Sequence, residues 1–255
     1  MYLPERTEHQ KIDRLYDRNE GNSASGQGFD LNKKQKPPVV YILNHEKFPN
    51  SPQNNRIGSS KDVKALWKTF KNLNCRVEII SNPELSDVKK KLKECSKKQF
   101  TEEAGIVLCI LSHGTLKEKI MACDDKIYDL DDDVLFPLLR NPSLSGKPKI
   151  LIVQACKGNM KADAKKMNSE PYIKCYSCSE GYKSYRDERK GTVFIQTLCE
   201  VMDQYGDTRD FQSIFKYVKA EVERRSIEDG AKQIPSDESH NFDAPFCFGN
   251  YVQNA

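Results

Sequence analysis

From Val39 onward, runs of apolar residues alternate with helical stripes. VVYIL at Val39–Leu43 contains no polar residue, and Val63, Leu66, Trp67 and Phe70 follow at i, i+3, i+4, i+7, one face of a helix. Ser59, followed three residues on by Asp62, predicts a capping box at the start of that helix. A second strand is expected over CRVEII, ending at Ile80, and a second helix over the stripe Leu85, Val88, Leu92 and Cys95. GIVLCIL (Gly105–Leu111) and ILIV (Ile150–Val153) are two further strands, with a small hairpin at Lys119–Tyr128 and a helix over Leu130–Leu139 kinked by Pro137 between them. Strands apolar at every position are buried on both faces, as in parallel sheets covered by helices. This β-α-β-α-β order predicts an α/β fold, a three-layer sandwich with a mostly parallel central sheet and helices on both faces.

Beyond Cys156 the pattern breaks. Lys157–Glu170 is polar and without periodicity, which marks a surface linker, and Tyr172–Ser177 resumes as a strand. Two helical stripes follow, one at Phe194, Ile195, Leu198 and Val201 and one at Phe211, Ile214, Phe215, Val218 and Val222. Phe246–Val252 is expected to be the last strand. The opening residues are poor in apolar side chains and include GNSASGQG at Gly21–Gly28, too little to offset the entropy of ordering. The chain thus divides into a flexible leader at 1–37, a first folded segment at 38–160, a linker at 161–171 and a second folded segment at 172–255.

Composition removes several classes of function. Among 255 residues, 41 Lys and Arg are interleaved with 37 Asp and Glu for a net charge of +4, which argues against nucleic acid as a partner. The longest apolar run, Ile106–Leu111, has six residues, far below the roughly 18 of a membrane-spanning helix, so no membrane partner is expected. The charged start, MYLPERTEHQKIDR, lacks the apolar stretch of an export signal. Nine irregularly spaced cysteines in such a chain read as reduced thiols of a cytoplasmic protein. Cys175-x-x-Cys178 has no second pair of ligands, so neither a metal nor another cofactor is expected.

Two of the fully apolar strands run into reactive residues. One leads into Ser112-His113-Gly114, the other into Gln154-Ala155-Cys156-Lys157-Gly158. In an open parallel sheet the functional crevice lies beyond the carboxyl ends of the strands. A histidine and a cysteine placed there face one crevice, which is the arrangement of a thiol hydrolase. Glycine after the histidine lets a backbone N–H approach a reacting carbonyl.

QACKG resembles the nucleophile signature of the caspases, and SHG their histidine motif. NNRIGSSKD, DDKIYDLDDD, SLSGKPKILIVQACKG, SEGYKSYRDERKGTVFIQTLCE and KQIPS extend the likeness, in order, over about residues 38–252. The resemblance implies a caspase-like sandwich in which Cys156 is the nucleophile, His113 the general acid and base, and the N–H groups of Gly114 and Cys156 an oxyanion hole. It further implies that Arg56, Gln154 and Arg186 hold a substrate aspartate, and that Ser184 and Tyr185 pair with the substrate backbone by β-augmentation. The implied protein is an executioner-type cysteine endopeptidase that cleaves protein chains after aspartate. It is made as a zymogen, acts in programmed cell death, and works as a homodimer of large and small subunit pairs; pairing with other caspases is a further partner of the same kind. Asp163 in the linker, with Asp17 and Asp30 in the leader, are the candidate processing sites.

Four departures from the family pattern shape these expectations. Lys157 replaces an arginine, Val193 replaces a tryptophan and widens the second pocket, and Asp187 stands where asparagine is usual. DESHNFDAP takes the place of an apolar strand after KQIPS, which weakens the expected dimer edge. They motivate an alternative reading, a weakly active or inactive caspase-like binding partner that modulates an active relative.

Overall fold

The computed structural model describes residues 35–115, 118–156, 169–178, 186–228 and 232–252. Along the chain run β1 (Val39–Asn44), α1 (Ser59–Asn72), β2 (Arg76–Ser81), α2 (Leu85–Lys97) and β3 (Ile106–Leu111). A hairpin of β4 (Lys119–Met121) and β5 (Ile127–Asp129) leads through a π-helical turn, Leu130–Leu135, into α3 (Phe136–Leu139) and β6 (Lys149–Gln154). Next come β7 (Tyr172–Tyr176), β8 (Arg186–Asp187), β9 (Gly191–Thr192), α4 (Val193–Tyr205), α5 (Phe211–Glu228), β10 (Ser236–His240) and α6 (Gly249–Val252). The expected leader and most of the expected linker lie outside the described residues.

One six-stranded sheet has the order β10-β7-β6-β3-β1-β2. All its pairings are parallel except that of β10 with β7. β1, β3, β6 and β7 are buried at every position, as strands apolar on both faces require. Their alternate residues feed two cores. On one face Val40, Val107 and Ile152 pack with Leu66 and Phe70 of α1, Phe194 of α4 and Phe215 of α5. On the other, Leu43, Leu108 and Leu151 pack with Val88 and Leu92 of α2 and Leu138 of α3. Each such side chain contributes about 1.5–3 kcal/mol by leaving water. This is the three-layer α/β sandwich expected from the apolar pattern.

Three local expectations are corrected. The start of α1 is no capping box: Gly58, with φ of 90°, occupies the cap position and no side chain caps the helix. Ser59 and Asp62 instead lie on the buried arc with Leu66, Thr69 and Phe70, which leaves Trp67 44% exposed. The last strand is the polar Ser236–His240 rather than Phe246–Val252. An edge strand needs only backbone pairing on one side, and β10 obtains it from β7, Glu238 opposite Lys174. Phe246 and Phe248 are buried among aromatic rings ahead of the short α6.

One buried lysine joins the segments on either side of the linker, and another ties the first segment to the linker's end. Lys174 Nζ on β7 lies 2.9 Å from Glu118, 3.0 Å from Asp131 and 3.1 Å from Glu238. Burial alone would lower its pKa, but three carboxylates outweigh that and hold it above the ordinary lysine value. Lys149 Nζ on β6 lies 2.7 Å from Glu170, which also accepts bonds from Ser145 Oγ and the Gly146 N–H.

Lys174→Met leaves these carboxylates without their cation and is expected to cost about 3–5 kcal/mol, read from the urea midpoint. Removing the exposed Lys126, paired with half-buried Asp124, in Lys126→Met should move that midpoint far less. Glu170 has a different signature. Burial pushes its pKa up, yet its bonds to Lys149, Ser145 and Gly146 prevail and the net shift is downward from 4.5. A carboxylate lowered in the folded state adds stability above its unfolded pKa and loses it as pH falls through the folded value. Glu170→Gln should therefore flatten the acid limb of a urea-midpoint profile and lower stability at neutral pH.

Candidate active site

The parallel register sets Asn44, Leu111 and Gln154 level at the carboxyl ends of β1, β3 and β6. The Ser112 N–H donates to the Gln154 carbonyl at 3.1 Å, which carries the β3–β6 pairing one residue further. Gly114 then lies directly against the Cys156 backbone. A Cβ built on Gly114 would overlap the Cys156 carbonyl oxygen and stand 3.2 Å from the Ala155 side chain, so only glycine permits the approach. The two expected strand ends do meet.

His113 is held from three sides. Its Nε2–H donates to the Asn54 carbonyl at 2.6 Å. A carbonyl only accepts, so in the neutral ring the proton sits on Nε2 and the lone pair on Nδ1. Buried Phe48 packs beside the imidazole, ring centroids 5.3 Å apart at 56°. The Met121 N–H donates to the His113 carbonyl at 3.0 Å, while Ser112 Oγ donates to the Met121 carbonyl at 2.5 Å, so the β4–β5 hairpin fixes the backbone.

Cys156 is the exposed cysteine of the described residues, and seven others are buried. Burial pushes the Cys75 thiol up to about 12 and those of Cys95 and Cys123 to about 11. Those sulfurs stay protonated and inert near neutral pH. Ahead of Cys156, the Ala155 carbonyl accepts from Ser177 Oγ at 3.2 Å, and buried Gln233, in the KQIPS stretch, donates to the Ser177 carbonyl at 2.7 Å. The end of β7 thus braces the turn that presents the thiol.

Arg56 and Gln154 are both buried at this rim, each 2% exposed. Arg56 Nη1 donates to Ser59 Oγ at 2.7 Å and to the His45 carbonyl at 3.4 Å, and Ser59 Oγ donates to Asn44 Oδ1 at 2.7 Å. His45 itself is buried. Burial lowers its pKa to about 4, and its Nδ1–H donates to the Leu111 carbonyl at 3.2 Å, so no second cation sits beside Arg56 near neutral pH. Ser184, Tyr185, Lys157, Asp163, Asp30 and Asp17 lie outside the described residues, as does the side chain of Arg186. The Arg186 backbone pairs with Thr192 in the β8–β9 hairpin.

Several participants escaped the sequence reading. The Asn54 carbonyl and Phe48 carry no motif. Ser59 and Asp62 carried a signal, two polar residues on an otherwise apolar helix arc, that was read as a cap. Asp62 Oδ1 accepts from the Thr192 N–H at 2.9 Å and from Gln196 Nε2 at 2.7 Å. It therefore ties α1 to β9 and α4, and through the β8–β9 pairing to Arg186. Gly191, with φ of 95°, packs so closely that a Cβ would overlap the Asp62 carboxylate.

A cysteine and a histidine presented at adjoining strand ends of a parallel α/β sheet are the equipment of a thiol hydrolase. Residues 38–247 match the caspase domain, and the chain belongs to the caspase family of cysteine peptidases. Caspase-6 of Gallus gallus is 28% identical over 266 residues, covering 84% of this chain and 85% of the relative. Caspase-3 of Xenopus laevis is 32% identical over 182 residues, 66% of this chain and 64% of the relative. The crystal structure of caspase-1 from Spodoptera frugiperda shares the fold with a TM-score of 0.74 at 22% identity, covering 89% of this chain and 97% of that one.

Limited alkylation with iodoacetamide at pH 7.5 should label Cys156 at least about tenfold faster than any buried cysteine, read by peptide mass mapping. Asp62→Ala removes one acceptor from Thr192. Hydrogen exchange at the Thr192 amide should rise about tenfold, the equivalent of one hydrogen bond of about 1.4 kcal/mol, while the Ser112 amide stays protected.

Proposed function

We propose that this chain is an aspartate-specific cysteine endopeptidase, and the observation that carries the reading is the backbone contact of Gly114 with Cys156 beside an imidazole oriented by the Asn54 carbonyl. In this reading His113 Nδ1 takes the proton of the Cys156 thiol, and the resulting thiolate attacks the carbonyl carbon of the substrate aspartate. The C–S bond forms as the carbonyl becomes an oxyanion, held by the N–H groups of Gly114 and Cys156. Each such donor contributes on the order of 100-fold or more in rate. His113 protonates the leaving amine as the C–N bond breaks, then takes a proton from the water that hydrolyses the thioester and regenerates the thiol.

Selectivity rests on Arg56, Gln154 and Arg186 around the aspartate carboxylate. A buried guanidinium left without its anion costs about 3–5 kcal/mol, so an asparagine in that place is rejected by two orders of magnitude or more. Ser184 and Tyr185 line the substrate backbone, and Val193 leaves the neighbouring pocket wide. The enzyme is a cytoplasmic zymogen of programmed cell death, processed at Asp163 and, in the leader, at Asp17 or Asp30. It assembles as a homodimer of segment pairs. β10, one of the two outer strands of the sheet, is the edge that a second copy would extend.

Linker-cut protein should turn over fluorogenic peptides ending in aspartate at least about 100-fold faster than those ending in asparagine or glutamate. Cys156→Ala should abolish turnover, and Arg56→Lys should raise KM with a smaller change in kcat. No turnover, combined with tight binding to an active caspase, would establish the partner reading instead.

A further inference from the structure

The outward face of α1 has a composition that neither the core nor the site explains. At 100° per residue, Lys61, Lys64, Lys68 and Lys71 fall within about 80° of one another, opposite the buried Asp62–Leu66–Phe70 arc, and all four are exposed. The helix has a single acidic residue, Asp62, and it faces inward. Among the described residues no ion pair or hydrogen bond reaches these four side chains. The other charged helices interleave acids with their outward basic residues. Lys91 of α2 lies 2.7 Å from Glu78 and 2.8 Å from Glu94. Arg224 and Arg225 of α5 are bonded to Glu221.

Like charges at i, i+3 and i, i+4 repel, so this stripe destabilises α1 where mixed charges would support it. Trp67, the only tryptophan in the chain, stands 44% exposed between Lys64 and Lys71 along the same surface. The stripe also begins at the site. α1 starts three residues after Arg56, with Ser59 bonded to that arginine, and returns between the parallel strands β1 and β2 toward the opposite end of the sheet. Lys61 therefore lies beside the rim, and Lys71 about 15 Å further along.

We propose that this face of α1 is an exosite that captures an acidic segment of the protein substrate lying outside the cleft, with the lysines opposite carboxylates and Trp67 against an apolar side chain of the same segment. The proposal rests on the peptidase reading and deepens it by adding a substrate class: proteins with a run of acidic residues spaced from the cleaved aspartate. The contribution is electrostatic and at the surface, so it acts on association and is screened by salt.

The test uses the full-length protein, cut in the linker, in two assays. In the first, a fluorogenic aspartate peptide is compared with two extended versions, one carrying an acidic tract and one a serine–glutamine tract of equal length. The acidic extension should raise kcat/KM about tenfold in 50 mM salt and little in 0.5 M. The Lys61→Gln, Lys64→Gln, Lys68→Gln, Lys71→Gln variant should lose that gain and keep turnover of the short peptide. The second assay needs no activity. In Cys156→Ala protein, the acidic peptide without a cleavable aspartate should shift Trp67 emission, and the four-glutamine variant should bind it at least about tenfold more weakly. Equal handling of acidic and neutral extensions together with an unchanged Trp67 spectrum overturns the exosite. A stronger response to anionic vesicles or to single-stranded RNA at equal charge also overturns it, because the occupant is then of another kind. Failure of the short peptide with the fluorescence response intact overturns the peptidase reading and leaves the docking face standing.

Discussion

The site depends on one backbone contact, the approach of Gly114 to Cys156. It follows from register. β1, β3 and β6 end level at Asn44, Leu111 and Gln154, so the residues after them are delivered to one rim. A slip of one position in β6 would turn its apolar residues to the other face and carry the Cys156 turn away from Gly114. The strands resist this because both faces are committed to separate cores, so every alternate residue has a side it must take. Core packing therefore fixes the chemistry at the strand ends, and a side chain at Gly114 would undo locally what the core enforces.

Buried polar groups linked in a chain of hydrogen bonds complete the arrangement. Arg56 is held by Ser59 and the His45 carbonyl, Ser59 in turn by Asn44, and His45 by the Leu111 carbonyl. Hydrogen-bonded networks rigidify a site, whereas removing one member leaves its buried partner unsatisfied at a cost of about 1–3 kcal/mol. Lys174 applies the same logic between the two segments, and Lys149 between the first segment and the linker's end. Glu118 and Asp131 reach Lys174 from across the linker, Glu170 reaches Lys149 from the linker's end, and the β6–β7 ladder runs beside them. A cut anywhere in residues 157–168 removes none of these contacts.

Much of the sandwich was legible because its strands are apolar on both faces and its helices carry clean stripes. Cys156 and His113 were legible for a related reason: they stand immediately beyond the apolar strands whose ends had to meet. What escaped was set by tertiary pairing. β10 carries Asp237 and Glu238, and it is a strand because β7 offers an edge, with both charges answered by Lys219 and Lys174. Phe246 and Phe248 showed only that they would be buried; they join rings of Phe70 and Phe211 without any ladder. The Asn54 carbonyl that orients His113 is a backbone group, and no residue type announces it.

The misread start of α1 shows how one stretch serves two ends. A side chain at Ser59 or Asp62 that capped the helix would be spent on its own backbone. With Gly58 taking the cap position in a left-handed conformation, both are released to the interior. Ser59 turns to Arg56 in the first segment, and Asp62 turns to Thr192 and Gln196 in the second. Burial raises the Asp62 pKa, and the bonds from Thr192 and Gln196 together with the Arg56 charge offset only part of that rise, so docked β9 and α4 help to support its charge. The hairpin bearing Arg186 is thereby ordered by a residue on the same helical arc as the Arg56 brace. The Arg56 guanidinium and the backbone of the hairpin that carries Arg186 are thus tied to the same first turn of α1, one through Ser59 and the other through Asp62.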